Sequence, residues 1–250
     1  MELFPRKHGV LDLRNIFVIS HYINYIAMYL AAPSTDHFYS YKSSNIAFFL
    51  YTFNYFISMY FYSLAAKSPG YQNTPKQPKQ ENEERFYCEK CEHHCLLRCS
   101  HCNTCGACVL RRDHHCVWLG QCVGQNNHAH FYIYIILESI NCIISLIFTL
   151  KGLFYRYKYH DKNYNGFLLI YLLPWAIYCS VFTLQIFILQ TKNILTNLTG
   201  WEVARWDNVS YLKGFPYKKS PFDKGVVKNV KEFFTMRGRK LIYPPPRLFL

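Results

Sequence analysis

The sequence has 250 residues, 51% hydrophobic and 18% aromatic, with 11 cysteines and a formal charge of +13. That is length for one ordinary domain or two small ones. The mean hydropathy of −0.07 resembles that of a soluble protein, but the average hides two populations, long apolar Tyr-rich runs and polar basic stretches. The positive charge admits nucleic acid, anionic lipid or an anionic cofactor as partner and does not choose among them.

In chain order, the opening MELFPRKHGVLDLRN is polar for too long to read as a cleavable secretory signal. Four segments then approach the roughly 20 residues that a helix needs to span a bilayer. They run from Ile16 to Ala32, Asn45 to Ala66, Phe131 to Leu150 and Gly166 to Gln190. The last two hold the clearest runs, IISLIFTL and FLLIYLLPWAIY; the first two are broken by Asn24, Asn54 and several tyrosines. Four such runs leave too little polar sequence to cover them in a water-soluble fold. Of the 28 Lys and Arg, 23 fall before the first run, between the second and third, and after the fourth. The positive-inside rule therefore puts both termini and the segment between the second and third runs in the cytosol. The expectation is an α-helical integral membrane protein. Residues 1–66 carry helices 1–2, 67–130 a cytosolic linker and cysteine-rich domain, 131–190 helices 3–4, and 191–250 a cytosolic tail. Residues 67–85, rich in Pro, Gln and charge, read as a flexible linker.

Nine of the 11 cysteines lie between Cys88 and Cys122. The spacing is C-x2-C, nine residues, H-C-x2-C-x2-C, four residues, D-H-H-C, five residues, C. Thiolate and imidazole ligands at such spacings suit tight turns around tetrahedral zinc, and a cytosolic setting keeps the thiols reduced. The segment has little apolar content of its own, so metal would supply much of its folding energy. Asp113-His114-His115-Cys116 points to further chemistry. A cysteine is a strong nucleophile once ionised, an adjacent His can take its proton, and a carboxylate can orient that His.

Through this pattern, which continues to Asn127 and Phe131 without a mismatch, the chain resembles the DHHC family of protein S-acyltransferases (palmitoyltransferases). The resemblance implies two interleaved structural zinc sites, one of Cys88, Cys91, His101 and Cys108, the other of Cys102, Cys105, His115 and Cys122. It implies Cys116 as the acyl acceptor, His114 as general base and Asp113 as its orienting carboxylate. Long-chain acyl-CoA would be the co-substrate, with Arg98, Arg111 and Arg112 meeting its phosphates. The partners implied are cysteine-containing membrane-associated proteins and the lipid bilayer, not nucleic acid. The location implied is the endoplasmic reticulum or Golgi, with the active site facing the cytosol.

The chain departs from the family pattern at several points. Cys95-Leu96 replaces the usual Lys-Pro before Arg98, so Cys95 and Cys99 are extra thiols, read as non-ligands that could themselves be acylated. Gln121 replaces an Asn, Val117 a Pro, Ser68-Pro69-Gly70 an Asp-Pro-Gly, and Thr199-Gly200-Trp201-Glu202 a Thr-Thr-x-Glu. Near the C-terminus Asn229 matches a structural Asn expected to bond backbone near the end of a span. Val226, Val230 and Phe233 fall on one helical face there, suited to lying on a membrane or to packing. Glu138 and Asn141, inside the third run, are expected to face the bundle interior and line the acyl cavity. An Asn-x-Ser/Thr sequon occurs at Asn197 and another at Asn208; both fall on the cytosolic side, where no glycan is expected. The alternatives are a catalytically weak or inactive family scaffold and a membrane-tethered zinc binding module.

Overall fold

The computed structural model describes residues 13–31, 42–72, 85–159 and 166–239. They form two compact units: residues 13–62 with 132–188, and residues 63–131 with 189–250 where described.

The first unit is helical. It is drawn from α1 (Leu13–Ala31), α2 (Lys42–Ala65), α3 (His128–Tyr159) and α4 (Gly166–Leu195). Each helix overruns or shifts past the run expected from sequence, because the flanking Tyr, Ser, Thr and Lys residues are tolerated in helix even where they are not apolar. Among the described residues, two stretches, His128–Phe154 and Phe167–Leu195, are long and apolar enough to cross a membrane. Ala27, Met28, Tyr51, Leu169 and Leu172 form its core. Aromatic stacking adds to it, with the Tyr25 and Tyr55 rings 4.1 Å apart.

Polar residues inside this unit tie helices together. Buried Glu138 accepts from Ser58 Oγ at 2.9 Å and pairs with His21 Nε2 at 2.8 Å. Asn54 Nδ2 donates to Asn141 Oδ1 at 2.7 Å and to Leu137 O at 2.9 Å. Glu138 and Asn141 are thus buried inside the unit, as expected, and bond across α1, α2 and α3 through the Glu138 carboxylate and Asn141 Oδ1.

The second unit holds three antiparallel two-stranded hairpins: β1 (Arg85–Cys88) with β2 (His93–Leu96), β3 (Ser100–Cys102) with β4 (Ala107–Val109), and β5 (His114–Cys116) with β6 (Gln121–Val123). After α4 come α5 (Gly200–Ala204), two single 3-10 turns and α6 (Val226–Thr235). Its small apolar core is Leu198, Trp206, Val209, Leu212 and Phe222.

Residues 67–72 do not behave as a flexible linker. Leu110 N donates to Gly70 O, Gln72 N to Cys108 O and Asn126 N to Pro69 O, all at 2.9–3.0 Å. Gly70 sits at φ +91°, where glycine is favoured, and Ser68 Oγ accepts from its amide at 3.4 Å. Ser68 thus closes the local turn as a short polar side chain does. The rest of the expected linker, 73–84, lies outside the described residues. Asn127 Nδ2 donates to Ala65 O at 2.7 Å and Gln121 Nε2 to Lys67 O at 2.6 Å. These amides satisfy carbonyls orphaned at the end of α2, so Gln121 has a definite structural task.

On α6 the buried face is Asn229, Phe233 and, just beyond the helix, Met236, while Val226 and Val227 are exposed. The face expected from Val226, Val230 and Phe233 is therefore rotated, because Asn229 is drawn inward by hydrogen bonds. Its Nδ2 donates to Leu195 O, the last residue of α4, at 2.7 Å, and its Oδ1 accepts from Lys224 N at 2.9 Å.

Candidate active site

Side chains alternate across a strand, and this sorts the Asp-His-His-Cys run. On β5, His114 and Cys116 share one face and His115 takes the other. In the β5–β6 register His115 faces Cys122, while Cys116 faces Gln121. His115 and Cys122 are thus cross-strand neighbours on the side away from Cys116. The same logic operates on β3–β4, where His101 faces Cys108.

Two groups of metal-capable side chains result. Cys88, Cys91, His101 and Cys108 have their donor atoms within 4.8 Å of one another, as do Cys102, Cys105, His115 and Cys122. Nδ1 of His101 lies 3.2–4.0 Å from the three sulfurs of its group, and Nδ1 of His115 lies 3.3–3.8 Å from those of its own. Zinc bonds of about 2.3 Å to sulfur and 2.0–2.1 Å to nitrogen give tetrahedral edges of about 3.5–3.8 Å. Both Cys3His sets fit zinc in donor type, number and spacing.

Asp113 is almost wholly buried, at 1% exposure. Its Oδ2 lies 2.7 Å from His114 Nδ1 and accepts from Gln190 Nε2 at 2.8 Å; its Oδ1 accepts from the Gly200 amide at 2.6 Å. An ionised carboxylate can only accept, so His114 Nδ1 carries a proton and Nε2 is left for Cys116. Burial pushes the Asp113 carboxyl up, but His128, His114 and the Gly200 amide together hold it well below the usual carboxylate range. Burial pulls His114 down, yet Asp113 and Cys116 more than offset it and raise it to about 10. Phe131 packs edge-on against the imidazole, with centroids 5.3 Å apart. Cys116 is buried at 2% exposure.

Two of these supports lie far from Asp113 in sequence. Gln190 and Gly200 come from the end of α4 and the start of α5, about 80 residues away in sequence. Gln190 Oε1 in turn lies 2.8 Å from His128 Nε2. The meeting of Gln190 and Gly200 with Asp113 is visible only in the fold. Thr199 caps α5, accepting from Glu202 N at 3.2 Å while Glu202 Oε2 accepts from Thr199 N at 2.8 Å. This capping box fixes the backbone that presents the Gly200 amide to Asp113. The altered Thr-Gly-Trp-Glu element therefore still addresses the Asp-His pair, through a main-chain N–H.

The arginines divide. Arg98, 2% exposed, donates to both Glu202 carboxylate oxygens at 2.7 and 2.8 Å and to Asn197 Oδ1 and O at 2.8 and 3.0 Å. Arg111 is equally buried and donates to Asn197 Oδ1 at 3.0 Å. Both guanidinium groups are committed inside the protein, which corrects the expectation that they meet a cofactor's phosphates. Arg112 differs: it donates to His101 O at 2.8 Å and also lines an open cleft of about 820 Å³ with Asp113, His114, Gln190, Gly200, Trp201 and Arg205. Buried Asn197, at φ +50°, cannot serve as a glycosylation acceptor in this fold. Cys95 and Cys99 are also buried, at 0% and 1% exposure, packed with Cys88 and Cys108.

Residues 81–207 match the family model described as DHHC palmitoyltransferase. A Dictyostelium discoideum protein carrying the name ZDHHC-type palmitoyltransferase 7 is 32% identical over 154 residues. The alignment covers 60% of this chain and 35% of that protein, so this chain spans about a third of the length of the relative. With half of its length matched, and with the Asp-His-His-Cys run and both Cys3His groups inside the match, the chain belongs to the DHHC palmitoyltransferase family.

Proposed function

We propose that the chain is a protein S-acyltransferase that moves a long-chain acyl group, palmitoyl first among them, from acyl-CoA to cysteines of membrane-associated proteins. The observation that carries this reading is the set of three donors, from His114, Gln190 and Gly200, converging on the buried Asp113 carboxylate. Such a carboxylate holds His114 in one tautomer and orientation, with Nε2 turned to the Cys116 side of the strand.

The chemistry follows. His114 takes the Cys116 proton, and the thiolate attacks the thioester carbonyl of acyl-CoA. Collapse of the tetrahedral adduct breaks the bond to the CoA sulfur, which leaves with the proton from His114. The acyl group now sits on Cys116. A substrate cysteine then gives its proton to His114 and attacks the acyl-enzyme, restoring the Cys116 thiolate and with it the thiolate–imidazolium pair. The CoA head would lie in the cleft by His114, where Arg112 and Arg205 supply positive charge. Bound zinc would brace the hairpins, held by the two Cys3His sets.

All four long helices span the membrane in this reading. Beyond the two apolar stretches, α1 exposes Ile16, Ile19, Ile23, Ile26 and Leu30, a stripe suited to lipid. The excess of Lys and Arg puts the cysteine-rich segment on the cytosolic side. The membrane proposed is that of the endoplasmic reticulum or the Golgi.

The test is incubation of purified protein with labelled palmitoyl-CoA, followed by hydroxylamine. A hydroxylamine-sensitive label on wild type and none on Cys116→Ser, with equal zinc in both, is expected. No label on folded, zinc-loaded wild type overturns the proposal.

A further inference from the structure

Cys95, Cys99 and His93 have no part in the proposed reaction, yet they crowd one zinc group. Cys95 Sγ lies 3.3 Å from Cys108 Sγ and 3.6 Å from His93 Nδ1. His93, Cys95 and Cys108 form a third set of donor atoms mutually within 4.8 Å. Strand geometry explains the set: His93 and Cys95 alternate onto the same face of β2, and Cys88 is the direct cross-strand partner of His93. Cys99 packs into the same knot with Cys88, Cys95 and Cys108.

We infer that this knot holds a second divalent ion beside the first, zinc in the cell, with Cys108 as a bridging thiolate, His93 and Cys95 as its other protein ligands and water in the fourth position. The chain would then carry three ions instead of two. The protein donors are soft or borderline, four to the first ion and three to the second with the bridging thiolate counted for both, which is the kind zinc prefers. Charge also favours it. One divalent ion with three thiolates leaves one net negative charge, and two divalent ions with four thiolates leave none. The further thiolate is thus buried together with its compensating charge, where a buried uncompensated charge would be costly.

The experiment is native mass spectrometry of the full chain released from detergent, with zinc per protein measured separately by elemental analysis. Three zinc ions are expected in wild type and two in Cys95→Ser/Cys99→Ser. Two in wild type overturns the inference whatever the variant does. Three in the variant also overturns it. Because the double variant could fail to fold, a second readout uses wild type alone loaded with Co(II). A bridged pair couples magnetically, so about one third of the bound cobalt should give an uncoupled paramagnetic signal. Full signal from all bound cobalt overturns the inference.

Discussion

The two units of this chain are held by opposite means. The cysteine-rich unit concentrates polar and ionisable groups in its interior: Arg98, Arg111, Asp113, Glu202 and Asn229 are all at most 4% exposed. Each is partnered, and most partners are themselves buried. The helical unit turns apolar side chains outward along its helices and joins them by fewer polar contacts, the cluster of Glu138 with Ser58 and His21 and the pair of Asn54 with Asn141. Loss of Arg98 or Glu202 in the first unit strands several groups; loss of Asn141 in the second leaves Asn54 bonded to Leu137 O. Single changes should therefore cost much more in the cysteine-rich unit, and that contrast can be broken or sharpened by experiment.

Metal removal should have the largest effect. Structural zinc contributes about 10–16 kcal/mol in small zinc-dependent modules, and the apolar core of this unit is only a handful of residues. Cys102→Ala, or strong chelation, is expected to abolish amide-exchange protection across 85–131 and 189–239 while leaving 132–188 protected. Cys116→Ser should keep the full zinc content. Equal zinc loss in the two variants would show that Cys116 is a ligand.

The buried ion pair comes next. Removing one partner of such a pair costs about 3–5 kcal/mol because the other charge remains buried. Glu202→Gln and Arg98→Met are each expected to lower unfolding stability by about that amount. Burial pushes the Glu202 carboxyl up, but Arg98, Arg111 and the Thr199 amide hold it below its ordinary range. A depressed folded-state pKa contributes stability above the unfolded value, lost only as the pH falls through the folded one. The gap between wild type and Glu202→Gln should then stay constant from pH 8 to about 5 and shrink only in stronger acid. A gap that closes near neutral pH would show that Glu202 is not ionised in the fold.

What the sequence revealed follows the same division. The metal groups and the Asp-His-Cys run were legible because coordination and proton transfer demand fixed residue types at short spacings. The hairpins behind them were not read, since strands of three or four residues carry too little periodicity. Arg98 and Arg111 were assigned to phosphates because sequence records charge and not burial. Glu202 and Asn197, which claim those guanidiniums, lie roughly 100 residues further along. In the helical unit, apolar length marked the four helices but not whether Glu138 and Asn141 face a cavity or another helix.

Gly200 tests how finely Asp113 is set. A Cβ there would lie 3.3 Å from both Asp113 carboxylate oxygens, so the carboxylate must give by a few tenths of an ångström. The residue begins α5, where alanine is compatible with the backbone. Gly200→Ala should keep zinc content and stability while slowing acyl-enzyme formation by about two- to tenfold, as small misplacements of an orienting group do. An unchanged rate would mean that the Gly200 amide does not help position Asp113.

The smallest effect is expected at Asn141. Its Oδ1 accepts one bond from Asn54, and Asn54 Nδ2 also donates to Leu137 O at 2.9 Å, so losing Asn141 leaves Asn54 with a partner. In the proposed membrane setting such a side-chain hydrogen bond between helices is worth about 0.6 kcal/mol, because the polar groups find substitute partners. Asn141→Leu should destabilise by about that amount, far less than Glu202→Gln. It should leave the acyl-CoA chain-length profile unchanged, since the Asn141 oxygen is already bonded to Asn54 of α2. A profile shifted to longer or shorter acyl groups, with stability intact, would restore Asn141 to a cavity wall. It would also make the helical unit a determinant of specificity.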